Sequence, residues 1–461
     1  MPKLRIIHFH SRGRLEKVMG VSYCKNTNIS SQPSRISPQC GIIGKFVAKS
    51  LNLLIFAKIR GSLQKAIRDA CPHSSMDRMP DSGSDDCGSI PHGGTTKLTT
   101  IMKRILLAAA FMLAAASIKA QVPGEDTYIH HNIIGENART EIRIPDIEGY
   151  KTLKGDFHIH TVFSDGNVWP SFRVDEAWRT GLDVIAITDH IEYRPKKDYY
   201  AKKVSLNTPY EIALAAKGNK DLIIIPGTEI TRSKPFGHMN ALFVSDADKA
   251  ETKDQMDALE AMLKQGAYIL WNHPGWPDDK CTMYPLHEEL IAQGKIHGVE
   301  VFNEFESYPI AFDWMDKYGL HPFANSDIHE TVEVRYKATR PITLVFAKER
   351  TIESVKEAMF AGRTLALFDG YLMGKKDYIA PLVAACLDFK VSEDKEGYAI
   401  YTISNSSDIP FSIDFSVGYH PVTVGPRQSV RLEIGDGEVL TFKNCFLSKS
   451  VFYSASIDEL K

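Results

Sequence analysis

From about residue 145 onward the chain alternates between short apolar runs of strand length and stretches whose apolar positions recur at helical spacing. The strand-like runs are GDFHIH from residue 155, DVIAIT from 183, DLIIIP from 221, MNALFV from 239, AYILW from 267, GVEVF from 298, PFANS from 322 and PITLVFA from 341. Between several of them lie SFRVDEAWRTG, PYEIALAAKG, ETKDQMDALEAMLKQG and AFDWMDKYG. Each ends in glycine, which takes the left-handed conformation that commonly terminates a helix. Strand, helix, strand repeated this often predicts a parallel α/β sheet with right-handed crossovers. Seven or eight units predict closure into a barrel over residues 148–370, with an open doubly wound sheet as the alternative.

After about residue 375 the helical period disappears. YAIYTISN, PFSIDFSV, SVRLEIG and VLTFKN read as short strands separated by Ser, Asp, Gly and Pro, predicting a small all-β, sandwich-like module over 380–461. Residues 1–101 behave differently again. They carry 15 Lys/Arg against 6 Asp/Glu, show no sustained amphipathic pattern and end in a run rich in Ser, Gly, Asp and Pro. Such a segment has little with which to build a core. It is followed by MKRILLAAAFMLAAASIKAQ, with a basic pair after Met102, an apolar stretch from Ile105 to Ala116 and a small-residue exit at Ala120. That is the layout of a secretory signal peptide, and its apolar core is short for a bilayer span. The expectation is that translation starts at Met102, that 1–101 is an upstream extension, that 102–120 is removed on export to a periplasmic or extracellular space, and that 121–147 forms an N-terminal arm. A membrane-anchored protein with a basic tail is the alternative.

Overall composition adds little to this. In 461 residues, 43% are hydrophobic and 24% charged, ordinary for a soluble globular protein of two or three domains, and a net charge of −2 gives no field that would recruit nucleic acid. Of seven cysteines, Cys24, Cys40, Cys71 and Cys87 precede the export signal. The remaining Cys281, Cys386 and Cys445 form neither a disulfide framework nor a CxxC zinc pattern, although an exported protein leaves room for one bridge among them. Any metal would be held by His and carboxylate.

The polar residues at the strand ends supply such ligands. His158 and His160, spaced i, i+2 in GDFHIHTVFSDG, project from one face of an extended segment, with Asp165 close behind. Asp189 and His190 end the second strand, Glu229 the third; His273 follows the fifth, and Asp327 and His329 follow PFANS. His238 begins the fourth strand rather than ending it. The carboxyl ends of parallel barrel strands share one rim, so these groups converge. A single histidine after a strand is ordinarily a loop or capping residue, and Asp189 could simply accept a hydrogen bond from a loop amide. Six of sixteen histidines in such places, with three or four carboxylates, suit Zn²⁺, Mn²⁺ or Fe²⁺. They are too many for one ion, so two or three are implied.

HIHTVFSDG, AITDHIE, GTEI, GHMNAL, NHPG and NSDIH together resemble the PHP (polymerase and histidinol phosphatase) family across about residues 150–350. The resemblance implies a distorted (β/α)7 barrel. It further implies one metal held by His158, His160, Glu229 and Asp327, a second by Asp165, His190 and His329, and a third by His238 and His273 with Glu229 as bridge. Many relatives have histidine where this chain has Asp165, which keeps a ligand but leaves the metal open. The β module is more weakly similar to the tail of secreted PHP phosphodiesterases.

Paired ions can activate water and clamp phosphoryl oxygens during in-line attack, so the expected chemistry is hydrolysis of a small-molecule phosphate diester or monoester without a covalent enzyme intermediate. Arg232 is the first choice for a cation that assists the phosphoryl charge, ahead of Arg194 and Lys280, and Asp189 would orient a ligand. Trp276 and Tyr284 could stack on a substrate ring or simply pack at the rim. No GxxxxGK loop is present. A metal-dependent amide or lactone hydrolase and a non-catalytic, metal-stabilised binding protein remain as alternatives. A polymerase-attached exonuclease is disfavoured by the export signal and by the lack of a polymerase-sized region. No stable nucleic-acid partner and no membrane span in the mature form are expected; oligomeric state is left open.

Overall fold

The computed structural model describes residues 138–461 except 201, 337–339 and 417–419; the predicted extension, the predicted export signal and most of the predicted arm lie outside the described residues. The first part runs β1 (Lys151–Asp156), α1 (Pro170–Arg179), β2 (Val184–Ile187), α2 (Thr208–Ala216), β3 (Ile223–Thr231), β4 (His238–Leu242), α3 (Gln255–Leu263), β5 (Tyr268–Trp271), α4 (Pro285–Ala292), β6 (Gly298–Asn303), β7 (Glu306–Ser307), α5 (Pro309–Tyr318) and β8 (His321–Asn325). Local chemistry accounts for many of these boundaries. Pro170, Pro209, Pro285 and Pro309 lie in the first turn of four helices, where a missing N–H costs nothing. The Asp254 carboxylate accepts from the Met256 and Asp257 amides at the start of α3, and Gly319 ends α5 at φ +72°.

Strand β2, VIAI, is buried along its whole length, as a strand covered on both faces must be. Full burial of each such branched side chain contributes about 1.5–3 kcal/mol. β1 pairs parallel to β2, β2 to β3, β5 to β6 and β6 to β8. β4, expected to be parallel, is antiparallel to both β3 and β5. Past β8, Ile328 bridges in parallel to Ile159, and the His160 amide donates to the Ile328 carbonyl at 3.1 Å. The strand course thus returns to where it began, bringing the segments that follow β1 and β8 side by side.

The remaining chain comprises α6 (Val332–Arg335), β9 (Ile342–Ala347), α7 (Ile352–Phe360), β10 (Thr364–Phe368), β11 (Tyr371–Gly374), α8 (Lys376–Cys386), β12 (Leu387–Lys395), β13 (Tyr398–Asn405), β14 (Phe411–Asp414), β15 (Val422–Val424), β16 (Ser429–Gly435), β17 (Val439–Ser448), β18 (Val451–Ser456) and α9 (Ile457–Leu460). PITLVFA was expected as one more parallel strand. As β9 it lies antiparallel to β1 and β10 instead. The boundary expected at residue 380 falls inside α8. β12, β13 and β16 form a separate three-stranded sheet, whereas β17 pairs parallel to β11 and carries β14, β15 and β18 onto the large mixed sheet. One apolar core runs through both parts, joining Ile185 and Leu344 to Leu372, Phe411 and Phe442. Cys281, Cys386 and Cys445 are free thiols, and no described helix is long and apolar enough to cross a membrane.

Candidate metal centre

All nine ligands expected from the sequence meet at one end of the strands. Asp165, His190, His238, His273, Asp327 and His329 line a common cavity of about 800 Å³, with fully buried His158, His160 and Glu229 joined to them by close polar approaches. The antiparallel sense of β4 resolves the anomaly of His238. Its first residue pairs with Thr231 at the end of β3, so the start of one strand and the end of the other share the rim.

Glu229 lies at the centre, each oxygen serving a different group of imidazoles. Its Oε2 is 3.6 Å from His158 Nε2, 3.5 Å from His160 Nε2 and 2.6 Å from His190 Nδ1. Its Oε1 is 3.0 Å from His238 Nδ1 and 3.7 Å from His273 Nε2. Asp327 Oδ1 stands 3.2 Å from His158 Nε2 and 3.0 Å from His160 Nε2, while its Oδ2 is 3.7 Å from His273 Nε2. Asp165 Oδ1 is 3.5 Å from His190 Nε2 and 3.2 Å from His329 Nε2. Two donors each about 2.1 Å from one ion, at a tetrahedral angle, stand about 3.4 Å apart. These separations bracket that value.

Six of the donor atoms also lack other partners, whereas Glu229 Oε1 accepts from Asn272 Nδ2 at 2.9 Å and His190 Nδ1 lies 2.6 Å from the Thr231 hydroxyl. His158 Nε2, His160 Nε2, Asp165 Oδ1, Glu229 Oε2, His238 Nδ1 and Asp327 Oδ1 are buried and make no hydrogen bond. A buried polar atom left unpaired costs about 1–3 kcal/mol, so six facing one space call for a shared partner. The residues fit divalent ions. Two of the residues, His273 and Asp327, adopt φ of +22° and +48°, outside the regions most non-glycine residues occupy.

Burial and mutual charge pull these groups in opposite directions. Burial alone would depress His158, but Asp327, Glu300 and Glu229 hold its pKa well above the ordinary value. Burial would raise Glu229, yet His190, His158 and His238 keep it well below the carboxylate range. For His190, neighbouring Glu229 and Asp165 outweigh burial and lift it to about 10; Asp165 and Asp327 likewise lift His329 to about 9. His160 goes the other way, lowered to about 3 by burial and by His190 and His329.

The other expected residues are placed differently. The Asp189 carboxylate does not reach the cluster; it accepts from the Thr161 amide and hydroxyl at 2.8 and 2.6 Å and from the Ser164 amide and hydroxyl at 3.1 and 2.6 Å. It shapes the loop after β1 rather than facing the cavity with the imidazoles, and it reaches an expected ligand only through Ser164, whose hydroxyl lies 3.3 Å from His160 Nδ1. Arg232 lines the cavity but pairs with Glu192 at 2.8 Å and donates to the Thr252 carbonyl. Arg194 pairs with Glu251 and borders a neighbouring cavity, and Lys280 is exposed. Trp276 and Tyr284 line the same cavity as the imidazoles, the former 54% exposed with its ring 4.9 Å from that of His238.

No family model matches the chain. A protein of Methanocaldococcus jannaschii described only as uncharacterised is 35% identical over 83 residues, 18% of this chain and 36% of that protein; the chain thus spans about a third of that curated relative's length. The crystal structure of a two-domain protein from Bacteroides vulgatus, containing a predicted PHP-like metal-dependent phosphoesterase, matches with a TM-score of 0.66 at 35% identity, covering 69% of this chain and 98% of that one. The chain belongs to the PHP family. A lesion-specific endonuclease from Pyrococcus furiosus matches with a TM-score of 0.34 at 16% identity over 46% of this chain and 56% of that one, too distant to bear on substrate.

This PHP protein also carries a buried carboxylate that the sequence reading passed over. Glu300, in the middle of β6, accepts from His158 Nδ1 at 2.9 Å and Asn325 Nδ2 at 3.0 Å through Oε1. Through Oε2 it accepts from the His273 amide at 2.7 Å and Asn303 Nδ2 at 2.8 Å. Because Nδ1 of His158 donates to Glu300, Nε2 is left to present its lone pair to the cluster. The clue lay in GVEVF, where a lone acid interrupts an otherwise apolar strand.

Proposed function

We propose that this PHP protein is a metal-dependent phosphoesterase that hydrolyses a small-molecule phosphate diester or monoester. The convergence of six unpartnered, buried donor atoms around Glu229 and Asp327 at the floor of an open cavity carries this reading. His158, His160, Glu229 and Asp327 would hold one ion, Asp165, His190 and His329 a second, and His238 and His273, sharing Glu229, a third. Bound there, divalent ions (Zn²⁺, Mn²⁺ or Fe²⁺) would supply charge that neutralises phosphoryl oxygens and acidifies water. The chain's own residues set up that chemistry: Glu300 fixes the tautomer of His158, and the two oxygens of Glu229 divide the imidazoles between neighbouring positions. The predicted phosphoesterase in the Bacteroides vulgatus relative supports the same reading.

The seven strands β1, β2, β3, β4, β5, β6 and β8, with the Ile159–Ile328 bridge, support interpreting the fold as a distorted (β/α)7 barrel. Export is part of the proposal and rests on the signal-like stretch from Met102. The test offers metal-loaded protein bis(p-nitrophenyl) phosphate, p-nitrophenyl phosphate, a phosphorus-free p-nitrophenyl ester and a single-stranded oligonucleotide. Turnover of a small phosphate ester is expected. Turnover of the phosphorus-free ester alone, or of the oligonucleotide alone, would overturn the proposal.

A further inference from the structure

Helix α1 carries an arginine that contacts no substrate space and is 1% exposed. The Arg173 guanidinium reaches through the layer beneath the metal cavity to the backbone of both loops that bear ligands. Its Nε donates to the His160 carbonyl at 3.0 Å. Its Nη2 donates to the Ile328 carbonyl at 3.0 Å, and Nη1 to the Glu330 carbonyl at 2.5 Å and the Glu176 carboxylate at 2.9 Å. His160 is itself an expected ligand; Ile328 stands between the ligands Asp327 and His329; Glu330 follows the second of them. Apart from its counter-ion, every partner of Arg173 belongs to the metal-bearing backbone.

The same two loops touch elsewhere along this seam. The His160 amide donates to the Ile328 carbonyl at 3.1 Å, and the Asn167 amide donates to the His329 carbonyl at 2.8 Å. Glu176 closes the arrangement by also accepting from the Val332 amide beyond the second loop. A planar guanidinium can address three carbonyls in fixed directions at once. A lysine ammonium, with all its donors on one flexible nitrogen, cannot span them.

We infer that Arg173 is a positioning residue that sets the spacing between the His160 loop and the Asp327–His329 loop, and thereby the occupancy of the ion position that Asp165, His190 and His329 share beside His160. The inference rests on the metal-centre reading. It adds that the separation of two ligand groups is held from below by one side chain on a helix that supplies no ligand.

The test uses the full chain stripped of metal and titrated with Mn²⁺ alone. Binding is followed by titration calorimetry, and the magnetic coupling of adjacent ions by electron paramagnetic resonance, so that neither readout depends on turnover. Native protein is expected to bind more than one Mn²⁺ and to give a coupled spectrum. Arg173→Lys is expected to keep a cooperative melt without metal but to bind its weakest Mn²⁺ about 10- to 100-fold less tightly and to lose the coupled signal. Native affinity and coupling in Arg173→Lys would overturn the inference, as would a variant whose melting point falls while its folded fraction binds Mn²⁺ normally. If Arg173→Lys does not fold, Glu176→Gln replaces it, because that change loosens the guanidinium without removing it. A smaller weakening in the same direction is then expected, and unchanged binding overturns the claim. Failure of native protein to bind Mn²⁺ would refute the metal-centre reading itself, an outcome separate from any difference between native and variant.

Discussion

Replacing Glu300 with glutamine tests how far the cluster depends on a residue that is not expected to touch metal. The change keeps shape and removes one acceptor. Whichever way the amide turns, its NH₂ group must face two donors: His158 Nδ1 and Asn325 Nδ2 on one side, or the His273 amide and Asn303 Nδ2 on the other. The His273 amide cannot change role, whereas the His158 ring can shift its proton, so the NH₂ should settle against His158. That moves the ring proton to Nε2 and withdraws the lone pair aimed at the cluster. Asn325 cannot relieve the conflict cheaply, because its Oδ1 already accepts from the Phe157 amide at 2.9 Å. Losing a charge-assisted hydrogen bond costs about 1.5–3 kcal/mol, which at about 1.4 kcal/mol per decade is about 10- to 100-fold in metal affinity. Calorimetric titration of metal-free Glu300→Gln with Zn²⁺ or Mn²⁺ measures this directly, with turnover of the preferred phosphate ester falling in parallel at sub-saturating metal. Native affinity in Glu300→Gln would refute the reasoning, because a neutral side chain would then orient His158 equally well.

Other outcomes follow from the same geometry. His158→Ala or Asp327→Ala should abolish phosphoesterase activity, whereas His321→Ala should leave it intact and only lower the melting temperature, since it strips the buried Tyr268 hydroxyl of its 2.9 Å partner at a cost of about 1–3 kcal/mol. Comparable loss of activity in His321→Ala would show that the ligand set is misassigned. With His190 raised to about 10 and His329 to about 9, both are protonated at pH 7 without metal, so binding must release protons. Apparent affinity should rise with pH through 7–9, about tenfold per unit for each proton displaced, and calorimetry in buffers of different ionisation enthalpy counts those protons. Gly166→Ala would put a Cβ 2.7 Å from the His160 carbonyl carbon, pushing aside the loop that holds Asp165; metal content by mass spectrometry should drop while the chain stays folded.

The legible part of this site was the set of polar residues immediately following apolar runs, because backbone direction alone decides where a strand's end emerges. His158, His190, Glu229, His273 and Asp327 could be placed that way. His238 could not, since nothing local to GHMNAL distinguishes an antiparallel strand from a parallel one, and only the pairing with β3 shows that its first residue meets the rim. Asp189 looked like a ligand neighbour by position; the short hydroxyl side chains of Thr161 and Ser164 claim its carboxylate, so it meets His160 only through the Ser164 hydroxyl, a relay that position alone does not show. Arg173 and Glu300 are buried charges that each have one partner three residues away, but their other partners lie 13 to 157 and 25 to 142 residues away along the chain, a separation at which sequence pattern carries no signal. The C-terminal strands were recognisable individually, but the parallel pairing of β17 with β11 is non-local and left no local mark.

That pairing has a consequence for how the molecule comes apart. Leu372 and Met373 of β11 lie in register with Cys445 and Phe446 of β17, so some seventy residues of chain must be in place before the large sheet acquires this neighbour. The tail is therefore not a detachable accessory: clipping it before β17 would strip β11 of its hydrogen-bonded edge and expose the adjoining core to water. Heat should melt the catalytic end and the tail in one transition, and a graft of the metal-bearing half onto a different scaffold would have to bring its last strands along.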